Sequence, residues 1–392
     1  MKFTLFALSV LIPLFSISQK YQKYHFGAFL IDTHNDVPTA VIEKGLKFDS
    51  DLSGKTHSDL NRMIRGGVDA QMFSIWCSGE QQNPYAWANR EIDSVHAWVN
   101  RNPQKMMMVY TPVDLKKAFK QKKLATMMGV EGGHMIENDL SKLDELYKRG
   151  VRYMTLTWNN STAWATSALN ETTKGDTIQH KGLTEFGKQV VKRMNELGMM
   201  VDLSHVGEQT FFDAIHTTTK PVIVSHSCVH ALCPVFRNLK DEQIKAIEKN
   251  GGVIHLNFFS GFVDSTFMNK QKMFFEKHKA EIDSIKQNNP EADREYIQFA
   301  MFEKYKDEVE GWRPPLSMLL DHLDYIVKLI GVDHVGIGSD FDGVNSTPQG
   351  LNSVEDYPLI TKALVERGYS KKEIYKILGK NFLRVFESNT AE

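Results

Sequence analysis

The sequence predicts an α/β fold, a (β/α)8 TIM-type barrel, on three observations. Eight apolar, β-rich runs recur along the chain, mostly separated by helical patterns, and such alternation argues for parallel βα units. No Gly-rich phosphate loop follows the first run, so the competing open, doubly wound sheet lacks its usual signature. Five of the eight runs end in a residue suited to metal binding or proton transfer, and the C-terminal strand ends are where a barrel of this kind builds its site.

The first run, Phe29-Leu30-Ile31, leads into Asp32-Thr33-His34-Asn35-Asp36-Val37-Pro38. Side chains two apart on a strand share a face. His34 and Asp36 therefore project together, and Pro38 stops further pairing. The second run is 68–76, after the turn Gly66-Gly67. A helix is predicted over 85–100, with Ala86, Ile92, Val95 and Val99 on one face. The third run, 124–130, ends in Glu131-Gly132-Gly133-His134, and a helix over 140–148 follows with Gly150 as its cap. Run four is 151–157, and the polar stretch 159–180 reads as a loop placed to lie over a site. The helix 184–197, opened by Thr184 and closed by Gly198, precedes run five, 199–203, which ends in Ser204-His205. Run six, 221–224, ends in Ser225-His226-Ser227. A helix over 241–249 stops at Gly251-Gly252, and 253–259 is run seven. Residues 264–310, rich in Lys and Glu, read as a helical surface insertion without chemistry of its own. A helix over 319–330 and run eight, 335–338, lead to Ser339-Asp340-Phe341-Asp342-Gly343.

The composition is that of a globular chain: 392 residues, 42% hydrophobic, 24% charged, formal net charge −1. Near-neutral charge gives no indication of a nucleic-acid or membrane-surface partner. Lys2, an apolar run over 3–15 and the small residues Ser16-Ile17-Ser18 have the form of a cleavable secretory signal over 1–18. The expected mature chain, 19–392, is one exported barrel domain, in a bacterial periplasm or outside the cell. The apolar run is short for a membrane span, no Cys follows it, and the C-terminus is polar. A soluble protein without a membrane anchor is therefore expected. Cys77, Cys228 and Cys233 are too few and odd in number for a disulfide framework. Cys228 and Cys233 are as well suited to a local bridge as to being buried free thiols.

His34, Asp36, Glu131, His205, His226 and Asp340 each lie within a residue or two of the point where an apolar run stops. Random placement would scatter such residues through helices and loops. Three histidines with two or three carboxylates form the N/O donor set of zinc or a similar divalent ion. They are numerous enough for two ions, and a carboxylate such as Glu131 has an oxygen for each. Individually they have plainer readings: a helix-start carboxylate for Glu131, core histidines for His205 and His226, turn residues for Asp340 and Asp342. All of these would have to hold at once for the site to vanish. Of the other histidines, His57, His96, His180, His216, His255 and His322 are read as structural, and His134 as a hydrogen-bond partner behind the site. Met106-Met107-Met108 and Met127-Met128 are read as core filler.

The motifs Asp32-Thr33-His34-Asn35-Asp36, Gly129-Val130-Glu131-Gly132-Gly133-His134, Asp202-Leu203-Ser204-His205, Ser225-His226-Ser227, Arg237-Asn238 and Gly338-Ser339-Asp340-Phe341-Asp342-Gly343 run in order from about Phe29 to about Glu387. Together they resemble the membrane (renal) dipeptidase family of zinc peptidases. The resemblance implies a barrel holding two Zn2+ ions, one on His34 and Asp36, the other on His205 and His226, with Glu131 bridging. It implies that Arg237 holds a substrate carboxylate, that Asp340 handles protons, and that the substrates are dipeptides, D-residues tolerated at the C-terminal position. Where the family's mammalian members carry a histidine after the fourth strand, this sequence has Trp158, then Asn159 and Asn160. An indole N–H or a side-chain amide would still donate a hydrogen bond there, which makes Trp158 and Asn159 candidate substrate contacts. The family's mammalian lipid-anchor tail and the cysteine after that strand are missing. The expected partners are small dipeptides, with a homodimer left open. Two alternatives stay open: another metal-dependent amide or ester hydrolase on the same barrel, and a weakly active exported peptide-binding protein.

Overall fold

Unbroken runs of Val, Ile, Met and Leu make strands that are buried on both faces. In the computed structural model, which describes residues 19–289 and 294–390, these runs form one all-parallel sheet. Its strands are β1 (Ile31–Asn35), β2 (Ala70–Trp76), β3 (Met106–Met108), β4 (Leu124–Glu131), β5 (Val151–Thr155), β6 (Met200–Asp202), β7 (Ile223–Ser227), β8 (Val253–Leu256) and β9 (Val335–Ile337). The order is β1-β2-β4-β5-β6-β7-β8-β9, with β3 paired to the side of β4. The Asp36 N–H donates to Phe341 O at 2.9 Å and the Asp340 N–H to His34 O at 3.1 Å, joining the chain beyond β9 back to β1. The eight strands of the main path thus form a (β/α)8 barrel with helices around it.

The barrel interior is layered. At its foot, Ile31, Ala70, Met72, Ala125, Met127, Met200, Ile223 and Val253 pack with Phe382, Val385 and Phe386 of the helix Asn381–Asn389. Asn381 and Asn389 tie that helix to the Val335 and Pro221 carbonyls at strand starts. One layer up, the fully buried Tyr153 of β5 reaches across the interior to Thr33 and His34 of β1. Gly129 of β4 makes that crossing feasible, because a Cβ there would lie inside the Tyr153 ring. Only above this layer do polar residues dominate.

Several elements differ from the sequence expectation. Met106–Met108 pack against the core as expected but also form an unforeseen three-residue strand against the start of β4; a run that short carries no readable alternation. The polar stretch 159–180 contains the helix Ala168–Lys174, whose start is capped by the Ser167 hydroxyl accepting from the Asn170 N–H at 3.2 Å. The helices Val37–Glu43, Pro112–Lys120 and Glu208–Thr217 were not expected. Pro112–Lys120 had a legible start, a capping box between Thr111 and Asp114. Cys228 and Cys233 are buried free thiols that donate to different carbonyls, Asn257 O at 3.2 Å and Gly261 O at 3.5 Å. After Asp264 the chain forms Ser265–Lys277, Lys279–Asn288, Arg294–Lys304 and Lys306–Glu310, which share an apolar cluster of their own around Phe267, Phe274 and Phe302. No helix among the described residues is long and apolar enough to cross a membrane. The proposed leader over 1–18 lies outside the described residues.

Candidate metal centre

At the C-terminal end of β1, the register shifts between Asp32 and Asn35, and His34 and Asp36 come together, Nε2 to Oδ2, at 3.4 Å. The fully buried Asp32 braces this end. It accepts from the His34 N–H at 3.2 Å, the Ser339 N–H at 2.8 Å, the Ser339 hydroxyl at 2.7 Å and the Tyr357 hydroxyl at 2.6 Å. Burial raises its carboxyl above the usual range, and these four donors pull it back. His34 is oriented from below. The Tyr153 hydroxyl donates to Thr33 O at 3.2 Å and so accepts from His34 Nδ1 at 2.9 Å. That leaves the His34 Nε2 lone pair facing into the mouth.

Glu131 ends β4 and takes the middle. Its Oε2 lies 3.3 Å from His34 Nε2, and its Oε1 lies 2.8 Å from His205 Nε2 and 3.4 Å from His226 Nε2. The two outer histidines also have their far nitrogens occupied. His205 Nδ1 donates to the Asn159 amide oxygen at 3.0 Å. His226 Nδ1 lies 2.9 Å from the Ser225 hydroxyl, which itself donates to Asp202 Oδ2 at 2.6 Å. Asp202 further accepts from the Ser204 N–H at 3.2 Å and the Ser225 N–H at 2.8 Å, and from the Thr155 hydroxyl. His205 and Asp340 sit in the left-handed backbone region, φ 61° and 62°, a strain that marks sharply turned strand ends.

The residues fit a cationic guest. With Nδ1 of His205 and His226 donating elsewhere, their Nε2 lone pairs face one another at 2.9 Å, with Glu131 Oε1 beside them. Three acceptors converging without a proton to share are satisfied by a cation between them. On the other side, His34 Nε2 and Asp36 Oδ1 are buried without a hydrogen-bond partner, and ligand atoms of His34, Asp36 and Asp340 lie within 4.8 Å of one another. The local field agrees. Burial lowers the basicity of His34, but Tyr153, Asp36 and Glu131 lift it well above the ordinary imidazole value. Burial works against ionised Glu131, yet the His34 charge holds it well below the usual carboxylate range. His205 is pushed down to about 4 by burial and by the Arg237 charge, the neutral form that a metal ligand requires.

Around this centre stand the other candidates. Asp340 accepts from the Asn257 amide at 2.7 Å. Burial and the Asp36 charge push its carboxyl well above the usual range. Arg237 is 5% exposed; its Nη2 donates to His226 O at 3.3 Å, its Nε has no partner, and its guanidinium lies 5.3 Å over the Phe262 ring. Burial lowers it to about 10, with Glu131 and Asp340 opposing, so it remains a cation at neutral pH. Trp158 is half-buried, 6.3 Å from the His205 ring and edge-on to Trp76 at 5.1 Å. Asn159 has its amide oxygen committed to His205.

The structure thus brings His34, Asp36, Glu131, His205, His226, Asp340, Arg237 and Trp158 to one barrel mouth. Sequence reasoning missed the supporting residues Tyr153, Asn257 and Trp76. Trp76 and Asn257 had a signal, since each stands at an even spacing from inward-facing residues of its own strand. Tyr153 had none, being mid-strand and linked to His34 only across the barrel. His57, read as structural, sits at the rim, where its Nδ1 accepts from the Asp342 N–H at 3.0 Å. His134 Nε2 donates to Cys77 O at 3.2 Å rather than to a candidate ligand.

Known proteins share this fold. The family model described as membrane dipeptidase (peptidase family M19) matches residues 19–392. A crystal structure of the probable dipeptidase PvdM from Pseudomonas aeruginosa superposes with a TM-score of 0.78 at 26% identity, covering 95% of this chain and 98% of that one. A metallo peptidase from Rhodobacter sphaeroides, liganded with a phosphinate mimic of the dipeptide L-Ala-D-Ala, gives 0.74 at 23% identity over 93% and 99%. Dipeptidase AC, a metallo peptidase of family M19, gives 0.73 at 23% identity over 92% and 98%.

Proposed function

Because the chain belongs to the membrane dipeptidase family, peptidase family M19, and is a metallo-dipeptidase, we propose that it hydrolyses dipeptides with a free C-terminal carboxylate at two zinc ions bridged by Glu131. The observation that carries this reading is the division of Glu131, one oxygen toward His34, the other toward His205 and His226. His34 and Asp36 would hold one ion, His205 and His226 the other, and the imidazole-rich donor set favours zinc. When bound, such ions supply a Lewis acid for the scissile carbonyl and lower the pKa of water toward neutrality.

The chain's own residues do the rest. Arg237, buried and cationic with Nε unpartnered, grips the substrate carboxylate, which selects short substrates with a free C-terminus. Asp340 takes the proton of the attacking water and returns it to the leaving amine, a role suited to a carboxyl with raised proton affinity. Trp158, with Trp76 behind it, walls the mouth beside His205 and keeps water from the reacting carbonyl. The apolar leader over 1–18 supports export of the mature chain as a soluble enzyme. The ligand of the Rhodobacter sphaeroides fold relative, a mimic of L-Ala-D-Ala, is the reason to include D-residues among the substrates.

The test is a panel of L-L and L-D dipeptides, free and C-terminally amidated, with zinc-reconstituted protein. Free dipeptides should turn over and amidated ones should be poor. Arg237→Ala should raise KM for the free forms about 10- to 100-fold, as loss of a charge-assisted contact does. Equal efficiency of the wild type on amidated and free substrates would remove Arg237 from this role, and absence of turnover with two zinc ions bound would leave the peptide-binding alternative.

A further inference from the structure

Inward-facing positions can be followed up each strand in steps of two. On β2 they run Ala70, Met72, Ser74, Trp76, with the Ser74 hydroxyl reaching Glu131 Oε2 at 3.3 Å. On β8 they run Val253 and His255, and two residues on comes Asn257. At the mouth, β1, β4, β6, β7 and β9 each deliver a candidate ligand or the proton carrier. Asn257, at the end of β8, is fully buried and is neither a candidate ligand nor the proton carrier.

Its amide has one orientation. The Phe259 N–H donates to Asn257 Oδ1 at 2.6 Å, so that atom must be the oxygen. The Nδ2 group therefore points the other way, to Asp340 Oδ2 at 2.7 Å. The backbone is pinned as well, its N–H donating to Ser227 O at 3.1 Å. Asp340 needs such a hold. A carboxylate's final torsion is broad and roughly two-fold, and both Asp36 and Glu131 oppose its charge. Its Oδ1 lies on the side of Asp36, in space that exists because Gly343 has no Cβ to fill it.

We propose that Asn257 is a positioning residue for Asp340: its clamped amide holds Oδ2 and so presents Oδ1 to the metal centre. This rests on the reading of Asp340 as the proton carrier. Asn257→Ala removes the clamp, and Asn257→Asp keeps the acceptor for Phe259 while setting a carboxylate against Asp340.

The experiment is a double-mutant cycle on zinc-loaded protein, reading kcat, KM, metal content and melting temperature for Asn257→Ala, Asn257→Asp, Asp340→Asn and Asn257→Ala/Asp340→Asn. Alone, Asn257→Ala should lower kcat on the order of 10-fold and Asn257→Asp further, with KM and metal content nearly unchanged. In the Asp340→Asn background, Asn257→Ala should cost less than about 2-fold more, because the group it acts through is already gone. Full multiplication of the two losses overturns the inference, as does a loss confined to metal content or melting temperature. Should Asn257→Ala not fold, Asn257→Ser, which keeps an acceptor for Phe259, takes its place with the same readouts. An Asp340→Asn enzyme with undiminished kcat refutes the proton-carrier reading itself. A crippled Asp340→Asn enzyme beside a fully active Asn257→Ala enzyme refutes only the positioning role.

Discussion

On the β1 side of the centre, Asp32 accepts from the N–H two residues on, from both donors of Ser339, and from Tyr357. On the β6 side, Asp202 accepts from the N–H two residues on, from both donors of Ser225, and from Thr155. The same brace is thus used twice, each time stitching a strand end to a neighbour. The connection onward to a ligand differs. Ser225 accepts from His226 Nδ1 and passes the Asp202 charge into that imidazole. Asp32 reaches His34 only through a backbone N–H, and His34 Nδ1 is held by the neutral Tyr153. In the proposed centre the β6 brace would therefore bear on metal affinity, and the β1 brace on the shape of the strand end.

Glu131 belongs to both sides, so Glu131→Gln should produce the largest effect. Metal content should fall from the proposed two ions per chain to below one, and dipeptide hydrolysis should disappear with it. Retention of two tightly bound ions by that variant would mean the sides are independent and Glu131 does not bridge.

The next prediction separates the braces. Asp202→Asn should weaken zinc on the His205–His226 side by about 10- to 100-fold, the usual cost of losing a partner behind a metal-bound imidazole. Asp32→Asn should instead show itself in unfolding free energy, by about 1–3 kcal/mol for a disrupted buried network, with zinc affinity less affected. Zinc titration and chemical denaturation of both variants check this. Identical responses would erase the distinction.

A third prediction concerns Asp69, whose carboxyl, among the described residues, accepts from the Leu30 N–H alone at 2.9 Å and is pushed up to about 7 by burial. With one donor where Asp32 and Asp202 have four, it shows what burial does to an underbraced carboxyl. A folded pKa raised above the unfolded one means the stability is fully present below about 4 and is lost as pH rises through about 7. Unfolding free energy of the wild type relative to Asp69→Asn should therefore fall across that window, with a slope of at most ~1.4 kcal/mol per pH unit. A flat difference would show that Asp69 titrates normally.

Much of the candidate centre was legible because its candidate ligands stand where apolar runs stop. His34, Glu131, His205 and Asp340 betray themselves by position, and strand ends are visible as breaks in hydrophobicity. What lay out of reach depends on closure of the barrel. Tyr153 sits mid-run among Val151, Met154 and other apolar residues, and nothing local pairs it with His34, 119 positions away. That the Asn159 amide oxygen fixes the His205 ring follows from three-dimensional proximity alone. The short strand Met106–Met108 and the helix Ala168–Lys174 were hidden for a local reason: one is too brief for a period to show, and the other is spelled in polar residues.

The hydrogen bonds that close the barrel are made by the site's own neighbours in sequence, Asp36 to Phe341 and His34 to Asp340. Pairing residues some three hundred positions apart is the costliest step in loop-closure entropy and belongs late in folding. Ring closure and assembly of the His34–Asp36–Asp340 corner are consequently one event. An ion captured on that corner rewards closure directly, so zinc should speed the last folding phase as well as stabilise its product. A chain that ends before Val335 would still spell out all five proposed metal ligands and yet have no ring in which to hold them together.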